Sequence, residues 1–521
     1  MEDKRVDQDG TNDEGDLSKI WSEFASVTTS HGIQRMNNAK SKKYLKYEVD
    51  VNFKVEQAKS LKFPAVTICN NNPIRKSLLK SSPAFEQIHA LVEEYVQIYK
   101  FSFCRDNDSL SEDSYENEEA SDCIPFSEAS VSEFEKSLDT DVGVRIKETY
   151  EALEESYKFD AGHQFDQLIL DCEFAGVSCM DTNDFVHTVN NVYGNCYTFN
   201  SALLAKEIKV TKLSGPKYGL KITFNVEQNE YIETSETAGL RVLIHDPQRM
   251  PFPEDEGFLV ATNALTHVAV EVVCFVRGNF LLVTFYYKET MLRMNGSYGN
   301  CYAEGLPKET NYQHQYNLSY CQKGCHYTRL SEEIYHRRAC VDVKFTAMLN
   351  VPKSRKICST SNEIEKNCAN ETLAAYEDGL LFGYEMCPPP CKENIYKTSI
   401  SSSKWPAKNT KDLMASFIDK ICRVAEHEDK SCNIDIKDCG MLFIYFETLS
   451  HLIVEESPSY EFHQLLSDIG GVLGLYIGFS LLTIVEFIEL IFEICRARFR
   501  KRCLRRKKIS NARSAELRQL S

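Results

Sequence analysis

One apolar run near the C-terminus constrains this chain more than any other feature. Between Ile469 and Val485 the sequence carries no charged residue. Continued to Ile494 as a helix, the run would be about 39 Å long, which is enough to cross a hydrocarbon core of ~30 Å. Nine basic residues follow within positions 496–508, and such flanks mark the cytoplasmic side of a span. The sequence therefore predicts a transmembrane helix, Asp468–Ile494, whose C-terminal end lies in the cytosol.

The same run carries two sets of residues with helical spacing. They are Gly470, Gly474 and Gly478, and Glu486, Glu489 and Glu493. Glycines at every fourth position allow close helix contact. Carboxylates at membrane depth are costly unless they meet water, a cation or a partner. A simple anchor with its acids at the headgroup level is the alternative, but the pattern favours a helix that lines a cation pathway.

Composition narrows the class of protein. The 521 residues carry a net charge of −16, with acidic residues prevailing in the middle of the chain and basic residues at its C-terminus. A negative average argues against nucleic acid as a partner. The chain contains no G-x-S-x-G, no H-E-x-x-H and no phosphate-binding loop, so we expect neither an enzyme nor a cofactor.

The cysteines predict an extracellular domain. Of the 20 cysteines, 17 lie between Cys104 and Cys439, a density typical of oxidised, secreted domains. The N-glycosylation sequons agree with this location: Asn107, Asn295, Asn317 and Asn370. Zinc is the competing use of cysteine, but the cysteines do not form paired C-x-x-C knuckles, so no metal site is expected.

Local patterns predict several elements of this domain. Apolar residues at helical spacing predict a helix over Ser77–Tyr99. Strands are predicted at Leu220–Tyr231, Gly239–His245, Leu265–Val273 and Leu442–Ile453. The acidic stretch Cys104–Asp141 is interpreted as a solvated loop or helix face, and a cation- or ligand-sensing region is the alternative.

The apolar run resembles a known family. Its sequence, D-I-G-G-V-L-G-L-Y-I-G-F-S-L-L-T-I-V-E, is similar to the second transmembrane segment of degenerin/epithelial sodium channels, which include acid-sensing and FMRFamide-gated channels. The resemblance covers nearly the whole chain, for example in Y-G-N-C-Y-T-F-N at Tyr193–Asn200. It implies an α+β fold: a large disulfide-rich extracellular domain, with a β-sheet palm and a helical finger and thumb, on a short transmembrane helix bundle.

The resemblance divides the chain into five segments. They are a cytoplasmic N-terminal segment at 1–36, a junction at 37–46, an extracellular domain at 47–464, a pore segment at 465–495 and a basic cytoplasmic tail at 496–521. Within the extracellular domain, the acidic finger region corresponds to residues 75–180 and the thumb to residues 301–391.

The family's first transmembrane helix is missing at the junction. Arg35–Lys46 reads R-M-N-N-A-K-S-K-K-Y-L-K, and no window before Phe63 is apolar enough to span a membrane. The resemblance nevertheless resumes in F-P-A-V-T-I-C-N at Phe63–Asn70. With one span, the cysteine-rich domain would have to cross the membrane without a signal peptide. We interpret the gap as a segment lost near Arg35–Lys43, by splicing or by an error in the gene model. A second departure, the short apolar segment Cys274–Tyr287, is interpreted as an insertion, with a buried strand as the alternative.

Residue matches with the family imply the disulfides. They are Cys172–Cys179, Cys301–Cys391, Cys321–Cys387, Cys340–Cys358, and Cys196 with Cys104 or Cys123. Cys325 and Cys368 lack their family partners, and whether they pair with each other stays open. Two of the extra cysteines, Cys422, Cys432 and Cys439, could close a loop.

The resemblance also implies roles for individual residues. Gly478, Phe479 and Ser480 would form the selectivity filter, in which Phe479 departs from the small residue common in relatives. The other positions are Asp468, Gly471 and Leu475 at the pore mouth and gate, Glu486 and Glu489 at the inner pore, His31 and Gly32 as a gating motif, and Tyr47 and Tyr298 as an aromatic pair coupling the domain to the pore.

The implied function is a ligand-gated, sodium-selective, amiloride-sensitive cation channel of the plasma membrane. It would assemble with same-family subunits as a homo- or heterotrimer in contact with membrane lipid, and Na⁺ would be the permeant ion. S-S-S-K-W-P at Ser401–Pro406 and E-S-P-S-Y at Glu456–Tyr460 resemble peptide-gated members, so an extracellular peptide is the expected ligand. The alternative, favoured by the missing span, is a non-conducting truncated or splice-variant subunit that modulates full-length relatives.

Overall fold

The computed structural model describes most of the expected extracellular domain and parts of the pore segment. The described residues are 42–102, 142–143, 145–204, 207–274, 291–292, 298–302, 313, 318–341, 356–358, 363–381, 387–425, 434–477, 485–486, 488–492 and 496. Several predicted features lie outside them: His31, Gly32, Cys104, Asn107, Cys123, residues 275–287, Asn295, Asn317, Gly478, Phe479, Ser480 and the tail beyond Arg496.

Helices and strands alternate irregularly along the chain. The helices are α1 (Lys42–Tyr44), α2 (Lys76–Leu79), α3 (Glu86–Ser102), α4 (Glu155–Ala161), α5 (Phe165–Leu168), α6 (Pro253–Glu256), α7 (Gln322–Arg338), α8 (Glu363–Glu377), α9 (Lys411–Ala425) and α10 (Phe462–Ile477). The strands are β1 (Val49–Gln57), β2 (Leu61–Lys62), β3 (Ala65–Asn70), β4 (Ile169–Phe174), β5 (Val177–Ser178), β6 (Phe185–Asn190), β7 (Gly194–Phe199), β8 (Val210–Thr211), β9 (Leu220–Asn225), β10 (Gly239–His245), β11 (Phe258–Ala261), β12 (Ala264–Cys274), β13 (Met291–Leu292), β14 (Cys340–Val341), β15 (Lys356–Ile357), β16 (Lys392–Lys404) and β17 (Cys439–Pro458).

Two sheets carry the domain. The larger runs in the order β12-β16-β13-β17-β9-β4-β5, with β1 also paired to β17. The smaller runs β11-β10-β3-β7-β6. Strands β3 and β7 are buried at every position, which suits strands in the interior of a sheet covered on both faces. This mixture of sheets and separate helices makes the fold α+β, as expected.

Aromatic side chains fill the space between the two sheets. Phe63 lies at the centre, with ring centroids 4.9 Å from Phe174, 5.8 Å from Phe446 and 6.3 Å from Phe199. Phe174 and Phe446 come from the larger sheet and Phe199 from the smaller one. Edge-to-face contacts of this kind add to the free energy gained from burying the rings. They hold the two sheets together as one core.

The helical region after β3 has its own core. Phe85, Ile88 and Val92 pack with Ile146 and other apolar residues in a separate buried cluster. The helix predicted over residues 77–99 forms as two helices, α2 and α3. A turn separates them because Pro83 starts a short 3₁₀ segment that Ser82 caps, and proline cannot continue an α-helix.

The predicted strands are present, with one shortened. Strands β10, β12 and β17 match the patterns at 239–245, 265–273 and 442–453. The strand predicted to end at Tyr231 ends at Asn225 instead, as β9. The reason is local: Glu227 has a left-handed backbone, with φ of 55°, and a 3₁₀ turn follows at Gln228–Glu230. A residue in this conformation cannot continue a strand.

Gly219, just before β9, lies where two chain segments approach closely. A Cβ atom at this position would be 2.1 Å from the carbonyl oxygen of Ile444 and 2.6 Å from the Cβ of Tyr445. Its own carbonyl accepts a hydrogen bond from the Ala175 amide at 3.0 Å. Glycine is the one residue that leaves room for this approach of the backbone of β17.

The disulfides correct two expectations. Cys172–Cys179, Cys301–Cys391 and Cys340–Cys358 are joined, as the resemblance implies. Cys196 bonds with Cys69, rather than with Cys104 or Cys123. The reason is register, because these two residues lie directly opposite each other in β3 and β7.

In the thumb, Cys387 bonds with Cys325, so the expected Cys321–Cys387 bridge is wrong. The same bond answers the open question about Cys325, which does not pair with Cys368. Cys325 and Cys387 share a buried cluster with Tyr302 and Tyr320. Cys321, one helical turn earlier, packs instead in the cluster of Met250 and Phe252. Cys321 and Cys325 therefore face different parts of the core.

The chain divides into two units, Met1–Asp50 with Ser457–Ser521 and Val51–Glu456. The second contains most of both sheets and the disulfides described above. Across the described parts of the chain, no helix is both long enough and apolar enough to span a membrane. The span expected at Asp468–Ile494 stays a prediction.

Candidate functional site at the start of the pore helix

The start of α10 is set by its own side chains. The backbone N–H of Glu461 donates to the side-chain oxygen of Gln464 at 3.2 Å, and the amide of Leu465 donates to the Glu461 carbonyl at 3.1 Å. This is the reciprocal half of a capping box, in which the third helical residue reaches back to the cap. Pro458 ends β17 just before it. The helix therefore begins shortly after the strand and brings Asp468 into its second turn.

Asp468, the predicted pore-mouth carboxylate, has a defined partner. The hydroxyl of Tyr460 donates a hydrogen bond of 2.6 Å to its carboxylate. Burial, together with this bond to a carboxylate, raises the pKa of Tyr460 to about 12. Because this pKa is far above physiological pH, the Tyr460 hydroxyl keeps its proton and the hydrogen bond persists throughout the physiological pH range. Asp468 is thereby held in a fixed orientation at the start of the helix.

The end of the junction and the two residues after it, together residues 43–48, lie against this helix start. The ammonium group of Lys43 is 5.3 Å from the centroid of the Tyr460 ring, a cation–π contact. The Tyr44 ring lies 6.3 Å from that of Phe462. A backbone bond of 2.8 Å from the Ser459 amide to the Glu48 carbonyl completes the contact. Residues 43–48 and 459–468 therefore form one cluster, which we call the pore-helix base.

Tyr47, one of the two predicted coupling residues, belongs to the same segment. Its backbone is left-handed, with φ of 51°, which is uncommon for a bulky residue. Its ring lies 6.2 Å from that of Tyr44, and its amide bonds with the Tyr44 carbonyl at 3.3 Å. Tyr298 is partly buried in the other unit. The pairing of Tyr47 with Tyr298 stays a prediction.

The predicted pore residues occupy helical segments. Gly471 and Leu475 lie in α10. Glu486 and Glu489, further along the chain, are helical and exposed. A Cβ atom at Gly470 or Gly471 would meet no described atom within 4 Å. At these two positions, the described residues leave room for a close helix partner. The filter residues 478–480 lie in the part of the chain that the structure leaves undescribed.

Asn370 is the one predicted glycosylation site among the described residues. It is exposed on α8, whereas Thr372 of the same sequon is buried and donates its hydroxyl to the Cys368 carbonyl at 2.6 Å. Glycan attachment at Asn370 stays a prediction.

Reasoning from sequence missed the partners of Asp468. Tyr460 was part of the E-S-P-S-Y motif, and Lys43 was one of several lysines in the polar junction. The spacing of eight residues from Tyr460 to Asp468 was a usable signal, because Tyr460 lies just before the helix start and Asp468 lies just after it. Nothing in the sequence pattern marks Lys43 out from Lys40, Lys42 or Lys46.

Removing the Tyr460 hydroxyl is expected to loosen the pore-helix base. Tyr460→Phe deletes a hydrogen bond to a charged group, worth roughly 1.5–3 kcal/mol. Hydrogen exchange measured at the amides of residues 465–468 should therefore lose about ten- to a hundredfold of its protection. Tyr44→Phe, which keeps its ring contacts in the same cluster, is the matched control and should change protection little. Equal protection in Tyr460→Phe and the unmodified chain would show that the bond does not order the helix start.

Comparison with known proteins identifies the family. The chain matches the family described as "Amiloride-sensitive sodium channel" over residues 24–490. It is 28% identical to Acid-sensing ion channel 1C of Danio rerio over 462 residues, which is 87% of this chain and 74% of that protein. It is 30% identical to Degenerin-like protein asic-1 of Caenorhabditis elegans over 346 residues, or 66% of this chain and 38% of that protein.

A third relative, Degenerin unc-8 of Caenorhabditis elegans, is 27% identical over 352 residues, or 67% of this chain and 42% of that protein. The alignments thus span less than half the length of these degenerins. Members of the family are ion channels rather than enzymes, and they assemble with subunits of the same family. Because the match covers residues 24–490, most of its length, the chain belongs to the amiloride-sensitive sodium channel family.

Proposed function

We propose that this chain is a subunit of a ligand-gated, sodium-selective, amiloride-sensitive cation channel of the plasma membrane, assembled as a trimer. The observation that carries the proposal is the segment 468–494, which combines an apolar run with glycines and carboxylates at helical spacing. Neither a plain anchor nor a soluble domain needs that combination. The family match through residue 490 supports the same conclusion.

The filter residues suggest how sodium would be selected. Three copies of Gly478–Ser480 would supply backbone carbonyls and hydroxyls that replace the hydration shell of the ion. Asp468 would form a ring of carboxylates outside this belt and concentrate cations there. Beyond the filter, Glu486 and Glu489 are three residues apart in helical backbone and so share one helix face, which suits the inner exit of the pore.

The pore-helix base suggests how a signal would reach the pore. Residues 43–48 follow the position where the family places its first transmembrane helix. Their contacts with Tyr460 and Phe462 mean that a displacement of this segment acts directly on the start of α10. Because these contacts are few and specific, two discrete arrangements of the cluster would suffice for a closed and an open pore.

An extracellular peptide is the proposed stimulus. S-S-S-K-W-P occupies the end of β16 and the turn after it, and E-S-P-S-Y leads from β17 into α10. Both segments resemble their counterparts in peptide-gated members, and the second joins the larger sheet to α10 along the chain.

The missing first span favours a second candidate function. A chain without this helix would be a non-conducting subunit that reduces the current of full-length relatives. The two functions separate in one recording experiment that uses three samples: this chain alone, this chain co-expressed with a full-length relative, and a version with a relative's first transmembrane helix inserted within residues 37–41.

We expect the restored version to carry an inward sodium current that amiloride blocks. Suppression of the relative's current by the chain as written would support the modulator instead. Surface labelling of each sample supplies the control for expression. Absence of current from the restored version at matched surface expression would contradict the channel proposal. Current from the chain as written would contradict the modulator alternative.

A further inference from the structure

Strand β6 forms one end of the smaller sheet. Within the described part of the chain, β6 pairs with β7 alone, from Phe185 opposite Phe199 to Asn190 opposite Gly194. In an edge strand, every second residue directs its N–H and C=O away from the sheet. The outer edge of β6 therefore presents backbone donors and acceptors at intervals of ~7 Å.

A cavity of about 530 Å³ follows this edge. Five consecutive residues of the strand, Val186–Asn190, line it, so the cavity runs along β6 rather than touching it at one point. Its volume falls within the ~300–1,000 Å³ typical of ligand sites. The strand itself is ~20 Å long, which suits a short extended peptide better than a compact small molecule.

The first wall of the cavity comes from α4. Phe159 of this helix packs edge-on against His187, with ring centroids 4.8 Å apart. Ser156, nearly one helical turn earlier, is exposed and also lines the cavity. The Nε2–H of His187 donates to the side-chain oxygen of Asn195 at 2.9 Å, which fixes the ring beneath Phe159. This wall stands on the face of the sheet toward which His187 points.

The second wall stands on the opposite face. Register places Thr188, Cys196, Cys69 and Arg241 in one row across four strands, so they share a face that His187 does not. Arg241 donates to the Pro253 carbonyl at 2.8 Å, which holds the segment at 250–253 over that face. Met250, Pro251 and Pro253 line the cavity there. The cavity thus straddles the edge of β6, with the Phe159 ring on one side and Met250, Pro251 and Pro253 on the other.

The charges around the cavity restrict what it can hold. Its lining contains the carboxylate of Glu155 and no lysine or arginine. Burial lowers the pKa of His187, so this imidazole is neutral near pH 7. The lining therefore favours a neutral or cationic peptide over an anionic one.

We propose that the outer edge of β6 is a docking site for a short, extended, apolar peptide that adds to the sheet as a further strand. Strand addition satisfies the unpaired backbone groups of β6 and gives affinity, while pockets for alternate side chains give specificity. Successive side chains of the peptide point to opposite faces. One would rest on Phe159 and the next on Met250 and Pro251. Any effect of the bound peptide on gating rests on the proposed ligand-gated function. Binding of the peptide to β6 does not.

Backbone methylation of a bound peptide tests strand addition directly. The probe is a library of N-acetyl pentapeptide amides with randomised side chains, incubated with the full chain in detergent micelles. Peptides retained by the protein are resynthesised with a single N-methyl group at each amide in turn. We expect at least tenfold weaker binding at alternate amides, whose N–H groups point to β6, and little change at the amides between them. Binding that is equally sensitive at all amides, or a library from which nothing is retained, would overturn the proposal.

A pair of variants on α4 tests the position of the site. Ser156→Trp places a large ring in the cavity and should weaken binding at least tenfold. Glu154→Trp, at the exposed N-cap of the same helix and outside the cavity lining, is the matched control and should leave binding unchanged. Equal effects of the two changes would contradict a site along β6. Circular dichroism and thermal melting of both variants establish that each is folded.

Recording current separates this proposal from the proposed function. One outcome is that peptides bind with the alternating N-methyl pattern and yet evoke no current in the restored channel. That result would support the docking site and contradict peptide gating. Peptide-evoked current that is the same in Ser156→Trp and Glu154→Trp contradicts the docking site and keeps the proposed function.

Discussion

Replacing Ser480 with tryptophan is expected to reduce sodium current by at least tenfold in a conducting version of this protein, or to remove its preference for sodium. The filter proposed at Gly478–Ser480 works because a narrow ring of oxygens fits a partly dehydrated ion. Three indole rings at this ring would fill the pathway. Current amplitude and reversal potential in sodium and potassium solutions measure the effect.

Two other serine changes make this result specific. Ser480→Ala removes the hydroxyl but keeps the small size, so current should persist with altered selectivity. Ser416→Trp, on the exposed face of α9 in the extracellular domain, introduces the same ring far along the chain and should leave the reversal potential unchanged. An unchanged amplitude and reversal potential in Ser480→Trp would refute the role of this residue in the filter.

The second large effect is expected at Gly219, where alanine should prevent the larger sheet from forming correctly. Its Cβ atom would lie 2.1 Å from the Ile444 carbonyl oxygen, a distance that side-chain adjustment cannot relieve because the obstacle is backbone. Strand β17 would have to move away from β9, breaking the pairing of Ile444 with Leu220. We expect a loss of at least ~3 kcal/mol in the free energy of unfolding, measured as a lower melting temperature and a smaller fraction of protein at the cell surface.

Gly143→Ala is the matched control for this change. A Cβ atom at Gly143 would meet no described atom within 4 Å, and the residue lies in helical backbone. Alanine there should be neutral or should stabilise the protein by roughly 0.5–1 kcal/mol. If Gly219→Ala matched Gly143→Ala in melting temperature and surface level, the close approach of β17 to Gly219 would not be a constraint on folding.

The sequence was most informative where one physical rule dominates a segment. The sequence pattern marked β10, β12 and β17 because apolar residues that face a core recur along a strand. The helix after β3 was found by its spacing, but its break at Pro83 was not, although proline was the visible signal. The shortening of β9 depends on a left-handed residue, Glu227, whose side chain gives no hint of that conformation.

The site was harder to predict because its contacts join residues that are remote in sequence. The bond from Tyr460 to Asp468 is local and could be anticipated once a helix start was placed between them. The contact of Lys43 with Tyr460 joins positions more than four hundred residues apart, and no pattern in a single sequence encodes it. The cavity along β6 depends on the register of several strands and on a segment after β10, so it emerges only from the folded chain.

The disulfide between Cys69 and Cys196 has a consequence for how the smaller sheet is assembled. The two cysteines lie directly opposite each other, with Cα atoms 4.3 Å apart, in strands separated by 127 positions along the sequence. If β3 slipped by one residue against β7, the two thiols would point to opposite faces and could not meet. This disulfide can therefore form only in the observed register. Once formed, it prevents the two strands from sliding past each other, and a slipped sheet would retain two reduced thiols.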